Sequence, residues 1–285
     1  LPPCISKGKR IKHQFKNIKV ASVEYTKGKT GTTYIDFGPQ GARVLQQVNG
    51  GYSAQVTCNS INDQHILYGL CLSGGSILGL ESITGAISER MKQQKYDLPE
   101  SKFCVSGAII SGSFTIDGNM YYSDKKLGRY AVQNIIPNYI SIGQVGGGLG
   151  ASHGQGAYFK QNKNGIKFLC IVVNNALGDI YKNNKIVKMN YSKYKKRSNL
   201  PSRNTTLLAI ITNLDLNYEY LKVLSKQINS HIGKLIRPFN ALVDGDMFYA
   251  CSTMEKKNTY SHFELVQLID DLAIPVVEKA IYNSI

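Results

Sequence analysis

The run Thr205-Thr-Leu-Leu-Ala-Ile-Ile-Thr212 constrains the fold most. It carries no charge and reads as a buried strand, so the rest of the chain has to supply a core around it. A lysine-rich, poorly apolar stretch leads into it through Arg203-Asn204. A Thr at the first position of such a strand has a second possible use. If the Asn204–Thr205 bond breaks, Thr205 carries a hydroxyl and a free α-amine, and the amine can act as base for the hydroxyl. Asn-Thr-Thr also suits a plain strand start, and the junction alone does not separate these readings.

The 285 residues, 42% of them hydrophobic, suffice for a sizeable core. No apolar run is long enough to span a bilayer. The formal net charge is +15, which raises nucleic acid or anionic surfaces as partners. The lysines are spread along the chain among Asn and Tyr, without a helix-turn-helix, zinc-finger or RNA-recognition pattern. No nucleic-acid partner is therefore expected. Of the six cysteines, none forms a CxxC pair and none lies beside a His cluster at ligand spacing. No metal, cofactor or disulfide framework is expected. Asn190-Tyr-Ser and Asn204-Thr-Thr match the glycosylation pattern, which is common by chance. The chain opens Leu1-Pro-Pro-Cys4, which points to an upstream segment removed as a signal peptide or by trimming. A cytoplasmic location, or a periplasmic or secreted one after signal removal, is compatible with this.

Residues 1–17 are basic and aperiodic and read as an exposed arm, followed by one domain over 18–285. Short strand-like runs cover Val20–Tyr25, Thr32–Phe37, Ala42–Val48, His65–Leu72 and Cys104–Ile110. Helices are expected over Leu78–Gln93 and over Asp124–Ile135, where Asp124 suits the positive end of the dipole. The Gly-rich stretch Gly143–Gly154 lacks the strand, helix and acid of a dinucleotide fingerprint, and reads as a site-lining loop. Asn164-Gly165 predicts a hairpin between Gly156–Gln161 and Ile166–Val173. Residues 181–203 are Lys-rich with few aliphatics and read as a solvated linker. A helix over Asn217–Leu235 with Asn217 as N-cap, a strand over Met247–Cys251, and a helix over Ser261–Ile281 kinked or divided at Pro275 complete an α+β pattern.

Few polar residues interrupt the apolar runs: Lys160, Asn174 and Asn175, and Asp244-Gly-Asp246. Each has an ordinary reading, as a strand-end charge or a turn. Their order is more informative. Leu72-Ser-Gly-Gly-Ser-Ile-Leu-Gly-Leu80, Tyr122-Ser-Asp-Lys-Lys-Leu-Gly128, Gly148-Leu-Gly-Ala-Ser152, Phe159-Lys160, Asn175-Ala-Leu-Gly-Asp179, Asn204-Thr-Thr-Leu and Asp244-Gly-Asp246 follow one another from about Ile18 to the C-terminus. In that order the chain resembles the L-aminopeptidase/D-esterase (DmpA-like) family of self-processing N-terminal-nucleophile hydrolases. Within it, the Asn-Thr junction looks most like the nylon-oligomer (6-aminohexanoate oligomer) hydrolase branch.

The resemblance implies a four-layer αββα sandwich and an autoprocessed amide hydrolase, cut between Asn204 and Thr205 into fragments 1–204 and 205–285. It implies Thr205 as nucleophile, with Lys160, Asn175, Asp244, Asp246 and Tyr122 around it. It also implies a small amide or peptide substrate and a homo-oligomer, a tetramer of heterodimers. Asn175 would serve the oxyanion, Lys160 would add positive charge, and the two acids would manage protons. The chain departs from the family at Lys160-Gln-Asn, where Lys-Gly-Gly is usual, and its hairpin to Asn175 is shorter. Rival readings are an acyltransferase of the ornithine acetyltransferase type and a non-catalytic basic binding protein with the same fold.

Overall fold

In the computed structural model, described for residues 1–25, 27–56, 66–95, 104–110, 114–116, 119–194 and 204–285, the Thr205–Leu214 strand lies inside a six-stranded sheet. Its neighbours are Lys167–Asn175, antiparallel, and Met247–Lys256, parallel. Beyond Lys167–Asn175 comes Gly154–Gln161; beyond Met247–Lys256 come Ala42–Val48 and Ile66–Leu67. All ten residues of the Thr205 strand are buried. Side-chain alternation divides them between two cores. Leu207, Ala209 and Ile211 face a second sheet, while Leu208, Ile210 and Leu214 face helices.

That second sheet is built on Lys19–Tyr25, Thr30–Asp36, Gly69–Ser73 and Val105–Ile109. Val20, Ile35, Leu70, Leu72 and Ala108 pack against the first sheet. Its other face, with Ala21, Val23, Tyr34 and Cys71, is covered by helices Glu81–Gln93 and Lys125–Gln133. These helices meet closely, because a side chain at Gly85 would collide with the Lys125 carbonyl and one at Gly128 with that of Ser82. The opposite outer layer is the helix Tyr218–Leu235 with the helices His262–Leu268 and Ile274–Tyr282. The order helices, sheet, sheet, helices is the four-layer α+β sandwich expected.

Local signals account for most element ends. Asn217 accepts from the Tyr220 N–H and so caps its helix as expected; Asp124, expected only to suit the dipole, also caps by accepting from the Leu127 N–H. Ser261 and Glu264 form a capping box. The last helical region is divided by a π-helical turn over Ile269–Ala273, with Pro275 in the first turn that follows.

Two expectations are corrected. Residues 1–17 are not an exposed arm. Cys4–Ile5 pairs with Lys19–Tyr25, Lys9–Lys12 pairs with Tyr139–Ile142, and His13 and Phe15 are fully buried. These strands are too short to show periodicity, and their outward lysines conceal the one aromatic anchor. The expected linker is also structured through Tyr194. Asp179–Lys182 and Lys185–Lys188 form a hairpin, and Tyr191–Tyr194 makes one helical turn. The Asp179 carboxylate ties the segment down by accepting from the N–H groups of Asn190 and Ser192. The hairpin's Lys185–Lys188 strand is wholly exposed, so its composition resembles disorder. The rest of that expected linker, 195–203, lies outside the described residues, as do His65 and the cysteine at 58.

Ile210 is fully buried in the helix-facing core. Ile210→Ala should lower the free energy of unfolding by about 2–5 kcal/mol, as read from denaturant titration.

Candidate active site

The start of the Thr205 strand brings four of the singled-out residues together. Thr205 lies directly opposite Asn175, and Thr206 opposite Asn174. Directly opposed residues share a face, with Cβ atoms about 4.5–5.5 Å apart. Asn175 therefore stands beside Thr205, while Asn174 goes to the other face, donating to Ser284 Oγ at 2.9 Å. Of the Asn174–Asn175 doublet, Asn175 is the one beside Thr205. The Asn175 Oδ1 accepts from the Ser152 N–H at 2.8 Å, which fixes its Nδ2 as the donor end of the amide.

On the other side of Thr205, Asn204 makes a parallel bridge to Asp244. The Gly245 N–H donates to the Asn204 carbonyl oxygen at 2.9 Å. The Thr205 Oγ1 hydroxyl donates to the same oxygen at 2.6 Å. A Cβ on residue 245 would lie 2.7 Å from Thr205 Oγ1, so glycine keeps this approach open. Asp246 Oδ1 accepts from the Thr206 N–H at 2.5 Å, and its Oδ2 from the Asn240 N–H at 3.1 Å. Asp244 Oδ2 accepts from the Ala241 N–H at 3.0 Å.

Both carboxyls are nearly inaccessible, at 1% and 2% exposure. Burial pushes Asp244 above the ordinary carboxylate range, against the N–H groups of Ala241 and Leu177 that favour its charge. Asp246 is pushed up first by burial and then by the charge of Asp244, against the Thr206 and Asn240 N–H groups. The pair therefore titrates as a unit closer to neutrality than a free carboxylate.

Lys160 and Tyr122 do not join this cluster. Lys160 is exposed and pairs with Phe168, which pairs with Thr212 at the far end of the Thr205 strand. At strand rise that is about 23 Å from Thr205. Lys160 is thus corrected to a solvent-facing residue of an edge strand, its match resting on a neighbouring Phe rather than on register. The Tyr122 hydroxyl lies 3.5 Å from Glu81 Oε1, at the first residue of the helix Glu81–Gln93. Among the described residues no hydrogen bond links it to Thr205, Asn175 or the two aspartates.

Other parts of the site escaped the motifs. The Asn49–Ser53 loop grips the backbone of Asp244–Asp246. Tyr52 N–H donates to the Asp244 carbonyl at 2.9 Å, and Ser53 Oγ and Asn49 N–H donate to that of Asp246 at 2.8 and 2.9 Å. The only cue in the sequence is Asn49-Gly-Gly, an ordinary turn signal. The Gly-rich stretch meets this cluster through Ser152, whose N–H donates to Asn175. Gln144 staples it, donating from Nε2 to the carbonyls of Ala151 and His153 and accepting the Gly150 N–H at Oε1. Among the described residues no group of three or more His, Cys, Asp or Glu side chains is placed to hold a metal ion. No helix among them is long and apolar enough to cross a membrane.

The sequence profile of peptidase family S58 matches residues 14–285. The chain is similar to a 6-aminohexanoate-oligomer endohydrolase of Kocuria sp. (strain KY2), 31% identical over 90% of this chain and 78% of the relative. It is also similar to one of Agromyces sp. (strain KY5R), 29% identical with the same coverage. Among solved structures, a Burkholderia sp. beta-aminopeptidase superposes with a TM-score of 0.70 at 14% identity, over 98% of this chain and 89% of that one. The L-aminopeptidase D-Ala-esterase/amidase of Ochrobactrum anthropi, described as a variant of the N-terminal-nucleophile hydrolase fold, gives 0.67 at 17%, over 94% and 82%. The shared fold is that of these enzymes.

The fold holds the aspartate pair with its protonated form favoured. That contribution to stability is full near and below pH ~4 and is lost as pH rises through the raised values. Asp246→Asn should therefore flatten the decline: between about pH 5 and about pH 8 its unfolding free energy should drop less than the parent's, measured by denaturant titration.

Proposed function

The chain belongs to peptidase family S58 and is a hydrolase acting on amide bonds; from that premise we propose that Thr205 is its nucleophile, released by self-cleavage of the Asn204–Thr205 bond. The observation that carries the proposal is the convergence of the Gly245 N–H and the Thr205 hydroxyl on the Asn204 carbonyl. A polarised carbonyl beside the hydroxyl of the next residue is what an N-to-O acyl shift needs. Thr205 Oγ1 adds to the Asn204 carbonyl carbon, its proton passes to the Thr205 nitrogen, and the peptide C–N bond breaks to leave an ester. Water then hydrolyses the ester, giving the Asn204 carboxylate and returning the Thr205 hydroxyl beside its freed amine.

The same groups serve substrate. The Thr205 amine takes the hydroxyl proton, and Oγ1 attacks the substrate amide. The Gly245 N–H and Asn175 Nδ2 stabilise the oxyanion, the latter oriented by Ser152. The leaving amine collects the proton, and water releases the acyl product. Asp246 fixes the strand start through the Thr206 N–H, and a carboxyl titrating closer to neutrality can relay protons there. Asp244 raises Asp246 and braces the turn that carries Gly245.

For substrate we extend the class in the relatives' names, 6-aminohexanoate oligomers, to this chain. Its support here is apolar surface at the rim of the site. Tyr52 and Leu242 are 76% and 82% exposed on the two segments that wrap Asp244-Gly-Asp246, and an apolar spacer can lie against them. A tetramer of heterodimers belongs to the same proposal on the strength of family membership, with light scattering as its check.

Intact-mass analysis and N-terminal sequencing should find two fragments, the second beginning Thr-Thr-Leu-Leu. Thr205→Ala should remain one chain and lose on the order of 10³-fold or more in hydrolysis. A cleaved or active Thr205→Ala protein would point to another nucleophile. Gly245→Ala should fold, but its Cβ displaces Thr205 Oγ1 and processing should slow roughly 10²-fold, as followed by the time course of fragment appearance.

A further inference from the structure

His153 stands out among the buried polar groups. It is 7% exposed, yet neither ring nitrogen has a hydrogen-bond partner. His13, the other buried histidine among the described residues, differs: its Nδ1 accepts the Phe15 N–H. An imidazole buried with both nitrogens unmatched is unfavourable, and native structures keep such groups where something else completes them.

Its place in the sheet says what that could be. Gly154 pairs with Asn174 and Asn174 with Thr206. His153 is therefore level with Asn175 and Thr205, two strand spacings or about 10 Å from the nucleophile. Its backbone is held on both sides: the N–H donates to the Asn174 carbonyl at 3.3 Å, and its carbonyl accepts from Gln144 Nε2 at 2.6 Å. The preceding N–H, of Ser152, orients Asn175. The ring thus sits on a rigid segment that also sets the oxyanion amide.

The surroundings favour an acceptor on the ligand. Lys188 and Lys193 contribute positive potential at the ring. The one nearby acid, Asp179, is already engaged by the Asn190 and Ser192 N–H groups and the Ser192 hydroxyl. Burial first, then the two lysines, push His153 down to about 4, with Asp179 opposing. The ring is therefore neutral at physiological pH and keeps one N–H to donate. An ammonium would be repelled here, whereas an oxygen would be held.

We propose that His153 is a substrate-binding residue of the Thr205 site, donating its ring N–H to a carbonyl or carboxylate oxygen one unit away from the scissile amide. The inference rests on the Thr205 reading for its site. It adds a requirement that Thr205 chemistry does not impose, a second acceptor oxygen on the substrate.

The test uses the full chain and three amides: a simple N-alkyl amide with no second acceptor, an oligoamide ending in carboxamide, and the same oligoamide ending in carboxylate. His153→Leu should raise KM about three- to tenfold for substrates that carry the acceptor, leaving kcat and the simple amide little changed. A KM rise for both oligoamides identifies an internal or terminal carbonyl; a rise for the carboxylate form alone identifies the terminal carboxylate. His153→Gln, which retains an N–H donor, should recover most of the loss. Equal KM changes for all three amides, or none, would overturn the proposal. Nitrogen-15 spectra of the histidines give a readout independent of turnover: the His153 ring signals should shift when the carboxamide oligoamide is added to the parent protein. If they shift while no Thr205 terminus is found, the nucleophile reading fails and the His153 site stands. If Thr205 is released and His153 stays silent, the reverse holds.

Discussion

The chemistry of the molecule depends on how one strand is flanked. The Thr205 strand is antiparallel to the strand ending at Asn175 and parallel to the one beginning at Met247. In an antiparallel pair the end of one strand meets the start of the other, and in a parallel pair the two starts meet. The C-terminal end of one neighbour and the turn entering the other therefore converge on Thr205. An amide, a backbone N–H and a carboxylate arrive there on rigid elements, held by the same hydrogen bonds that hold the sheet.

This placement has an electrostatic price. Two carboxyls are buried side by side with no cation bonded to either among the described residues; backbone N–H groups from Thr206, Asn240 and Ala241 compensate them instead. Such dipoles stabilise charge less than an ion pair does, and the acids stay poised between their two forms. A lysine between them would have fixed both as carboxylates. Local stability is exchanged for a proton affinity useful near neutrality.

Much of this was legible in the residues. The unbroken apolar run Leu207–Ile211 and the cap at Asn217 act locally, so sequence displays them directly. Asn175, Asp244 and Asp246 could be found because motif order follows strand order. Lys160 could not be placed that way: whether a strand residue reaches a site depends on register, and its pairing with Phe168 is a non-local fact. His153 was missed because a histidine after a Gly-rich loop is unremarkable until its burial and missing partners are seen. The N-terminal strands and the 179–188 hairpin were hidden by their lysines, which report solvent on one side and say nothing of what the other side touches.

The strand order carries one more consequence. Residues 205–285 supply two adjacent strands in the interior of the six-stranded sheet, and both flanking strands come from residues before 204. Each portion is thus clasped by the other, and the six-stranded sheet is continuous only when both are present. A chain cut at Asn204–Thr205 keeps its shape because every contact is already made, but it has forfeited the tether that brought those contacts together. Re-forming the sheet after unfolding becomes a meeting of two molecules, at a concentration far below the effective one the intact chain provides. The cut form would then persist through the height of its unfolding barrier rather than the depth of its equilibrium. Its refolding would depend on protein concentration, as that of the intact chain would not.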